Sequence, residues 1–459
     1  MTEVAPIVSR SPYTPSDVVI EVAAWGEKEI AQGAGAARAA GDLWRHQPAP
    51  GRATALRRAG ETVAQHAGEL ADLIIREVAK PRAEAHGEVA RAVAILDYFA
   101  QQALDPDGET YPSPDGTSLL FARHRPRGVV TLITPWNFPI AIPVWKAAPA
   151  LAYGNAVLLK PAPEATAVAL RLAELLQPLL PEGLFQVAPG DALTAQGLLR
   201  ASDAVSFTGS TAAGHAVAVA AAEAGIPAQC EMGGQNASVV LADADLERAA
   251  TQIAWSAFAY AGQKCTATSR VVVVGRTDPV VEALAAATEK LPVGDPAAPE
   301  TQVGPLIDEP ARARMLEAAR EAEHAGGRVL TGGDAAEGEG WMVQPTLITG
   351  LAPDAALNQR EVFAPFATIL PARDLGEALA IVNGVEYGLV TSVYTKDVPS
   401  VLAIADRLDT GMVKVNSPTA GVDFYAPFGG EKRSSQGPRE QGKAAREFYT
   451  TTHTFTISA

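Results

Sequence analysis

Two cysteines, Cys230 and Cys265, are all that this chain of 459 residues contains. Cys265 stands in Gly262-Gln263-Lys264-Cys265, among polar and glycine neighbours rather than apolar ones. The thiolate is the reactive form of cysteine, and an adjacent cation or a turn favours it. Cys265 is therefore a candidate nucleophile, with Lys264 expected to help ionise it; the competing reading is a small buried hydrophobe. Glu231, 34 residues earlier, closes an apolar run in Cys230-Glu231-Met232-Gly233-Gly234-Gln235-Asn236. Burying an unpaired carboxylate is costly, so Glu231 is a candidate general base, the alternative being a turn cap. Asn137, in 134–139 (TPWNFP), can donate its amide to an oxygen that gains negative charge, although an Asn between prolines also suits a turn. The stretch 207–214 (FTGSTAAG) reads as strand, glycine turn and helix start, which presents backbone N–H groups and a helix dipole to an anion. It is not GxGxxG, so the ordinary dinucleotide fingerprint does not apply. Cys230 either reaches the site or fills the back face of its strand, with packing the favoured reading.

These residues need a scaffold, and the pattern around them supplies one. Residues 27–104 carry helical periodicity, such as Leu70–Ile74–Val78 at i, i+4 spacing. A Pro/Gly/Asp-rich break follows at 105–116. Short apolar runs at 128–134, 155–160, 184–187, 204–208 and 228–232 then alternate with helical stretches near 145–151, 165–180 and 214–224. That alternation implies βαβ units and a parallel sheet, and parallel strands covered on both faces should be apolar throughout. In open α/β sheets the ligand crevice lies beyond the carboxyl ends of the strands, where Glu231 and Asn137 fall. The second half continues the alternation, with helices at 246–261, 280–290 and 311–325 and strands at 269–274, 367–370 and 391–394. The segment 448–457 (FYTTTHTFTI) reads as a terminal strand, which invites pairing with another chain.

Composition narrows the function. The chain is 47% hydrophobic and 19% charged, with a net charge of −15 at pH 7, so nucleic acid and anionic membrane surfaces are not expected partners. Two cysteines make no disulfide framework and fit a reducing compartment. Residues 1–10 lack the pattern of a secretory signal, and no apolar run of about 18 residues is free of Pro, Gly or charge. A cytoplasmic protein without a metal site is expected.

Taken together, the motifs resemble the aldehyde dehydrogenase superfamily over nearly the whole chain. They are, in order, 134–139 (TPWNFP), Leu159-Lys160-Pro161, 207–214 (FTGSTAAG), 231–236 (EMGGQN), 262–265 (GQKC), Glu361-Val362-Phe363, Tyr387-Gly388-Leu389 and 427–432 (PFGGEK). The resemblance implies an α/β fold. A Rossmann-like NAD(P)-binding domain would comprise 1–107 and 127–233, and an α/β catalytic domain 234–448. A small β oligomerisation element would comprise 108–126 and 449–459, giving a homodimer or homotetramer. It also implies oxidation of an aldehyde to a carboxylic acid. Cys265 attacks the aldehyde carbon, Asn137 and the Cys265 N–H hold the oxyanion, hydride passes to the nicotinamide, and Glu231 activates the water that hydrolyses the thioester. Lys146 and Glu440 match proton-relay positions. Lys160 would bind the adenosine ribose and Glu361 the nicotinamide ribose, with Trp136, Gly209, Ser210, Gly214 and Phe363 around the cofactor.

Family members that select NAD usually carry a glutamate three residues after the lysine; here that position is Pro163, with Glu164 next. Losing that carboxylate removes a repulsion against a 2′-phosphate, so NADP is expected to be accepted beside NAD. Segments 412–416, 418–423 and 434–442 resemble the α-ketoglutarate semialdehyde (2,5-dioxopentanoate) dehydrogenases, and 416–427 would line the substrate mouth. Another semialdehyde, an aliphatic or an aromatic aldehyde is the alternative substrate. A cysteine-dependent hydrolase is the rival from another class, but it leaves Lys160, Glu361 and the glycine turn without a role. A non-enzymatic relative could dispense with Cys265 or Glu231. A coenzyme-A-acylating enzyme would need no base for water.

Overall fold

The computed structural model describes residues 5–458. Residues 27–104 fold into four helices, Glu27–Trp44, Ala49–Gln65, Ala67–Val78 and Arg82–Gln102, whose apolar stripes meet in one core with the following strands. The five apolar runs form the parallel strands Val129–Thr134, Ala156–Pro161, Phe185–Val187, Ala204–Thr208 and Ala228–Glu231. Every residue of Val129–Thr134 and of Ala156–Pro161 is buried, as two-sided cover by helices requires. In space the order from one edge is Ala228–Glu231, Ala204–Thr208, Val129–Thr134, Ala156–Pro161 and Phe185–Val187. A sixth strand, Ser435–Gln436, joins that edge antiparallel and sets Ser435 opposite Glu231.

A seven-stranded sheet follows, in the order Arg328–Thr331, Thr346–Thr349, Phe366–Ala372, Thr268–Val274, Asn236–Val240, Val390–Tyr394 and Met412–Val415. Only Arg328–Thr331 runs antiparallel to its neighbour. Sequence pattern does not separate Asn236–Val240 from the strand before it; four residues after Glu231 carry the chain from one sheet into the other. A third, antiparallel sheet pairs Gly108–Tyr111, Leu119–Pro126 and Thr450–Ile457, with Thr450–Ile457 at an edge. The terminal strand therefore begins at Thr450, not at residue 448; Ala445–Tyr449 is a short helix whose Phe448 and Tyr449 are buried in the main core.

The helix expected over 246–261 ends at Phe258. Tyr260 and Ala261 then adopt left-handed backbone conformations, with φ of 55° and 53°. Such a residue with a side chain costs roughly 1–2 kcal/mol, and here burial and the Tyr260 N–H to Gln302 carbonyl bond of 2.8 Å hold the kink. Its consequence is local: Gly262–Cys265 leaves the helix axis and enters the space between the two large sheets.

Candidate active site

Cys265 is half-buried and open to solvent on one side. Burial and then the negative charges of Glu361, Glu231 and Glu440 push its thiol up to about 12. All three carboxyls named from sequence therefore lie within electrostatic reach of the sulfur. The expectation for Lys264 is corrected. Its Nζ pairs with Glu84 Oε1 at 2.7 Å and lies 4.7 Å from the Trp255 ring centroid, so its charge is already engaged and does not act on the thiol. Consecutive residues in this turn point in different directions, so sequence adjacency misassigned the cation.

Glu231 is buried at the end of Ala228–Glu231. Its Oε2 accepts from Ser435 Oγ, whose own oxygen accepts the Gly430 N–H at 2.6 Å. Burial, then the charge of Glu440, holds the Glu231 carboxyl well above the usual carboxylate range, against opposing pulls from Ser435, Lys146 and Arg439. Its neutral acid form is thus favoured until a proton acceptor or higher pH removes the proton. Asn137 is buried, and its Nδ2 donates to the Gln263 carbonyl at 2.9 Å, two residues before the nucleophile. Gln263 is pinned in turn, its Oε1 accepting the Ile307 N–H at 2.9 Å. An amide nitrogen has a second hydrogen, so Asn137 keeps a donor for an oxygen beside Cys265.

Lys146 and Glu440 form a buried ion pair, and Lys146 Nζ also donates to Ser206 Oγ at 2.8 Å. Glu440 Oε2 is buried without a hydrogen-bond partner. Glu361 Oε1 accepts the Gly234 N–H at 3.1 Å, and burial pushes its carboxyl up to about 7. The approach is close: a Cβ on Gly233 would stand 2.1 Å from Glu361 Oε2. Trp136 and Phe363 meet edge to face, their ring centroids 5.8 Å apart.

Lys160 is buried at the end of its strand, donates to the Pro161 carbonyl at 2.9 Å, and is depressed by burial. Glu164 and Asp191 face it electrostatically. Pro163 opens the short turn Pro163–Ala165. Gly209 closes the strand Ala204–Thr208, Ser210 caps the helix Thr211–Ala224 by accepting from the Ala213 N–H at 3.4 Å, and Gly214 is buried in that helix against Met232. Thr134 Oγ1, Thr208 Oγ1 and Thr211 Oγ1 are all buried here without hydrogen-bond partners. Buried hydroxyls left unpaired at strand ends and at a helix start suit a polar, anionic ligand. Together with the buried Lys160 amine and the Glu361 carboxyl, these groups offer the polar donors and acceptors that a nicotinamide dinucleotide needs. Cys230 is instead sealed in an apolar cluster with Ile133, Phe207 and Met232.

Residues that sequence reasoning missed are those that hold others in place. Glu88 Oε1 accepts the Ile140 and Ala141 N–H groups, both at 2.9 Å, while Glu88 pairs with buried Lys80. Ser435 and Ser206 touch Glu231 and Lys146 from remote segments. Only their place inside longer motifs signals them.

The family model for the aldehyde dehydrogenase family matches residues 2–455. An α-ketoglutarate semialdehyde dehydrogenase of Haloferax volcanii is 40% identical over 450 residues, covering 96% of this chain and 93% of that protein. An α-ketoglutaric semialdehyde dehydrogenase of Bacillus subtilis is 36% identical over 450 residues, covering 96% and 92%. The crystal structure of betaine aldehyde dehydrogenase from Staphylococcus aureus in complex with NAD+ superposes with a TM-score of 0.95 at 28% identity, covering 99% of this chain and 92% of that one.

Proposed function

The chain belongs to the aldehyde dehydrogenase family and oxidises aldehydes with NAD or NADP, and from that premise we propose that its substrate is a semialdehyde with a distal carboxylate, α-ketoglutarate semialdehyde. The similarity to the Haloferax volcanii and Bacillus subtilis enzymes over 96% of the chain supports the substrate. For the chemistry, the observation that carries the reading is the convergence of Cys265, Glu231 and the free amide hydrogen of Asn137 in one crevice.

Cys265 gives up its thiol proton to solvent, its thiolate Sγ bonds to the aldehyde carbon, and the new oxyanion accepts from Asn137 Nδ2 and the Cys265 N–H. Bound NAD or NADP supplies a hydride acceptor for that carbon, whose loss of hydride leaves a thioester on Cys265. Glu231, once ionised, takes a proton from water; the resulting hydroxide adds to the thioester carbonyl, and the C–S bond breaks to release the carboxylic acid, which then ionises in solvent, and the thiolate. Lys146, Glu440 and Ser206 are hydrogen-bonded to one another within electrostatic reach of Glu231 and would relay that proton onward. Lys160 and Glu361 would hold the two riboses, and Gly209, Ser210 and Gly214 the pyrophosphate, with Trp136 and Phe363 beside them. Pro163, where a carboxylate would repel a 2′-phosphate, supports acceptance of NADP beside NAD.

The domain division we adopt is the one at residues 108, 127, 234 and 449. The edge strand Thr450–Ile457 and the exposed Leu119 and Ile457 support a homodimer or homotetramer. A cleft of about 1070 Å³ between that sheet and the helical segments, lined by residues such as Arg45, Gln102, Arg123 and Phe455, contains none of the residues of the chemistry. No helix among the described residues is long and apolar enough to cross a membrane, and we assign the enzyme to the cytoplasm.

Initial rates of nicotinamide reduction over an aldehyde panel, with NAD and NADP in parallel, test the substrate: preference for benzaldehyde or an uncharged alkanal refutes it. Cys265→Ala should abolish oxidation, and Glu231→Gln should accumulate an acyl-enzyme visible by mass spectrometry. Normal turnover without that adduct removes Glu231 from the mechanism.

A further inference from the structure

The helix Arg82–Gln102 turns one face to the active site. Residues at i, i+4 and i+7 share a helix face, and Glu84, Glu88 and Arg91 have that spacing. Glu84 holds Lys264, the neighbour of Cys265, at 2.7 Å. Glu88 caps the segment just beyond Asn137 through the Ile140 and Ala141 N–H groups, both at 2.9 Å. Arg91 lies ~4.5 Å further along the axis and donates from Nη1 to the Val422 carbonyl. Val422 belongs to the loop 416–427, which Thr419 ties to the nucleophile segment: Thr419 Oγ1 is 2.9 Å from Thr268 Oγ1, three residues after Cys265. Lys414 reaches the same loop, donating to the Ala420 and Gly421 carbonyls.

Two half-buried cations thus bracket the three consecutive carbonyls of 420–422. Elsewhere around the site three buried lysines are each matched by a carboxylate, Lys80 by Glu88, Lys146 by Glu440 and Lys264 by Glu84, while Lys160 donates to the Pro161 carbonyl at the cofactor end. Arg91 and Lys414 take part in no ion pair among the described residues, and Asp423 acts on Lys414 only as a neighbouring charge. Burial depresses Lys414, so the positive charge here is held at a cost that an incoming anion would relieve. Among the described residues Arg91 donates to the Val422 carbonyl alone, which leaves the rest of its planar fork of donors for a carboxylate.

We propose that Arg91, assisted by Lys414, binds the carboxylate at the far end of the substrate and so selects semialdehydes over uncharged aldehydes. This rests on the substrate reading above, which named no residue for that carboxylate. The test compares α-ketoglutarate semialdehyde with pentanal, a chain of equal length without the charge. The wild type alone decides the substrate reading: if it prefers pentanal, that reading falls and this inference with it. If it prefers the semialdehyde, Arg91→Ala should raise KM for the semialdehyde roughly 10- to 100-fold, as loss of a charge-assisted hydrogen-bonded pair would. Its kcat, and the KM for pentanal, should stay within about twofold. Arg91→Lys should recover part of the loss, and Lys414→Met, which approaches the loop from the other side, should raise KM for the semialdehyde alone by a smaller factor. Parallel losses on both aldehydes, or an unmoved KM for the semialdehyde, would overturn the assignment while leaving the substrate reading intact.

Discussion

Iodoacetamide alkylation of Cys265, followed by mass spectrometry from about pH 6 to about pH 10, reads the thiolate fraction of the cofactor-free enzyme. Burial, then Glu361, Glu231 and Glu440, push this thiol from 9.0 up to about 12. That rise disfavours the thiolate by at most about 4 kcal/mol, and solvent on the open side of Cys265 screens part of it. A raised acid keeps its proton to higher pH. The alkylation rate should therefore climb about tenfold per pH unit through neutrality and show no plateau below about pH 9. Glu361→Gln removes the charge that opposes the thiolate most. Near pH 8 the variant should react roughly tenfold faster, from the ~1–2 kcal/mol between charges several Å apart at an effective dielectric near 20. Because the Glu361 carboxyl is itself pushed up to about 7, it is neutral in acid, and the advantage should vanish well below that pH. Cys230, fully buried with a thiol also pushed up to about 12, is the internal control and should stay unlabelled. A plateau near pH 7, or a slower Glu361→Gln, would mean that a thiolate-stabilising group faces Cys265 and that the reasoning is wrong.

Glu440→Gln removes the charge that most raises Glu231; the Glu231 pKa should fall, moving the acid limb of single-turnover thioester hydrolysis to lower pH, and an unmoved limb refutes the coupling. Lys146→Met strands Glu440 in the interior, so urea unfolding should show a loss of ~3–5 kcal/mol, most of it recovered in Lys146→Met/Glu440→Leu; a loss below about 1 kcal/mol contradicts the burial of the pair. Pro163→Glu places a carboxylate where it would face a 2′-phosphate and should shift kcat/KM towards NAD by about tenfold or more; an unchanged ratio assigns the choice to other contacts, Glu164 first.

The alternation of strands and helices was legible because parallel strands buried on both faces are apolar from end to end, as Val129–Thr134 and Ala156–Pro161 are. The strand Asn236–Val240 was not, because only Met232-Gly233-Gly234-Gln235 separates it from Ala228–Glu231 and no helix intervenes. Residue types at the site were legible for a chemical reason: a carboxylate and an amide at or just beyond strand ends are poor packing choices, and Cys265 stands among polar and glycine neighbours rather than apolar ones. Directions were not. Lys264 stands next to Cys265 in sequence yet turns to Glu84, 180 residues away. Ser435 reaches Glu231 from 204 residues away through an antiparallel pairing of two residues, too short to leave a periodic pattern. Arg91 lies in a stretch whose helical periodicity was legible but whose polar residues carried no motif, and only the engagement of Glu84 and Glu88 sets it apart.

The long-range ion pairs and the raised carboxyls belong to one electrostatic design. Lys146–Glu440 and Lys264–Glu84 each join segments far apart in the chain, and Lys80–Glu88 caps the segment behind Asn137. Breaking one partner of such a pair costs more than removing both, so the crevice walls are held by charge as well as by packing. Those pairs use up the cations nearest the sulfur. What remains facing Cys265 is Glu361, Glu231 and Glu440. The Cys265 thiol and the Glu231 carboxyl are both held up by burial and by the charge of Glu440, so neither ionises independently of that charge. It follows that removing the charge of Glu440, which faces both groups, must move both the alkylation profile of Cys265 and the hydrolysis profile of Glu231. A Glu440 variant that shifts one profile and leaves the other in place would show that the thiol and the base titrate independently, and the nucleophile would then need an ionising partner of its own.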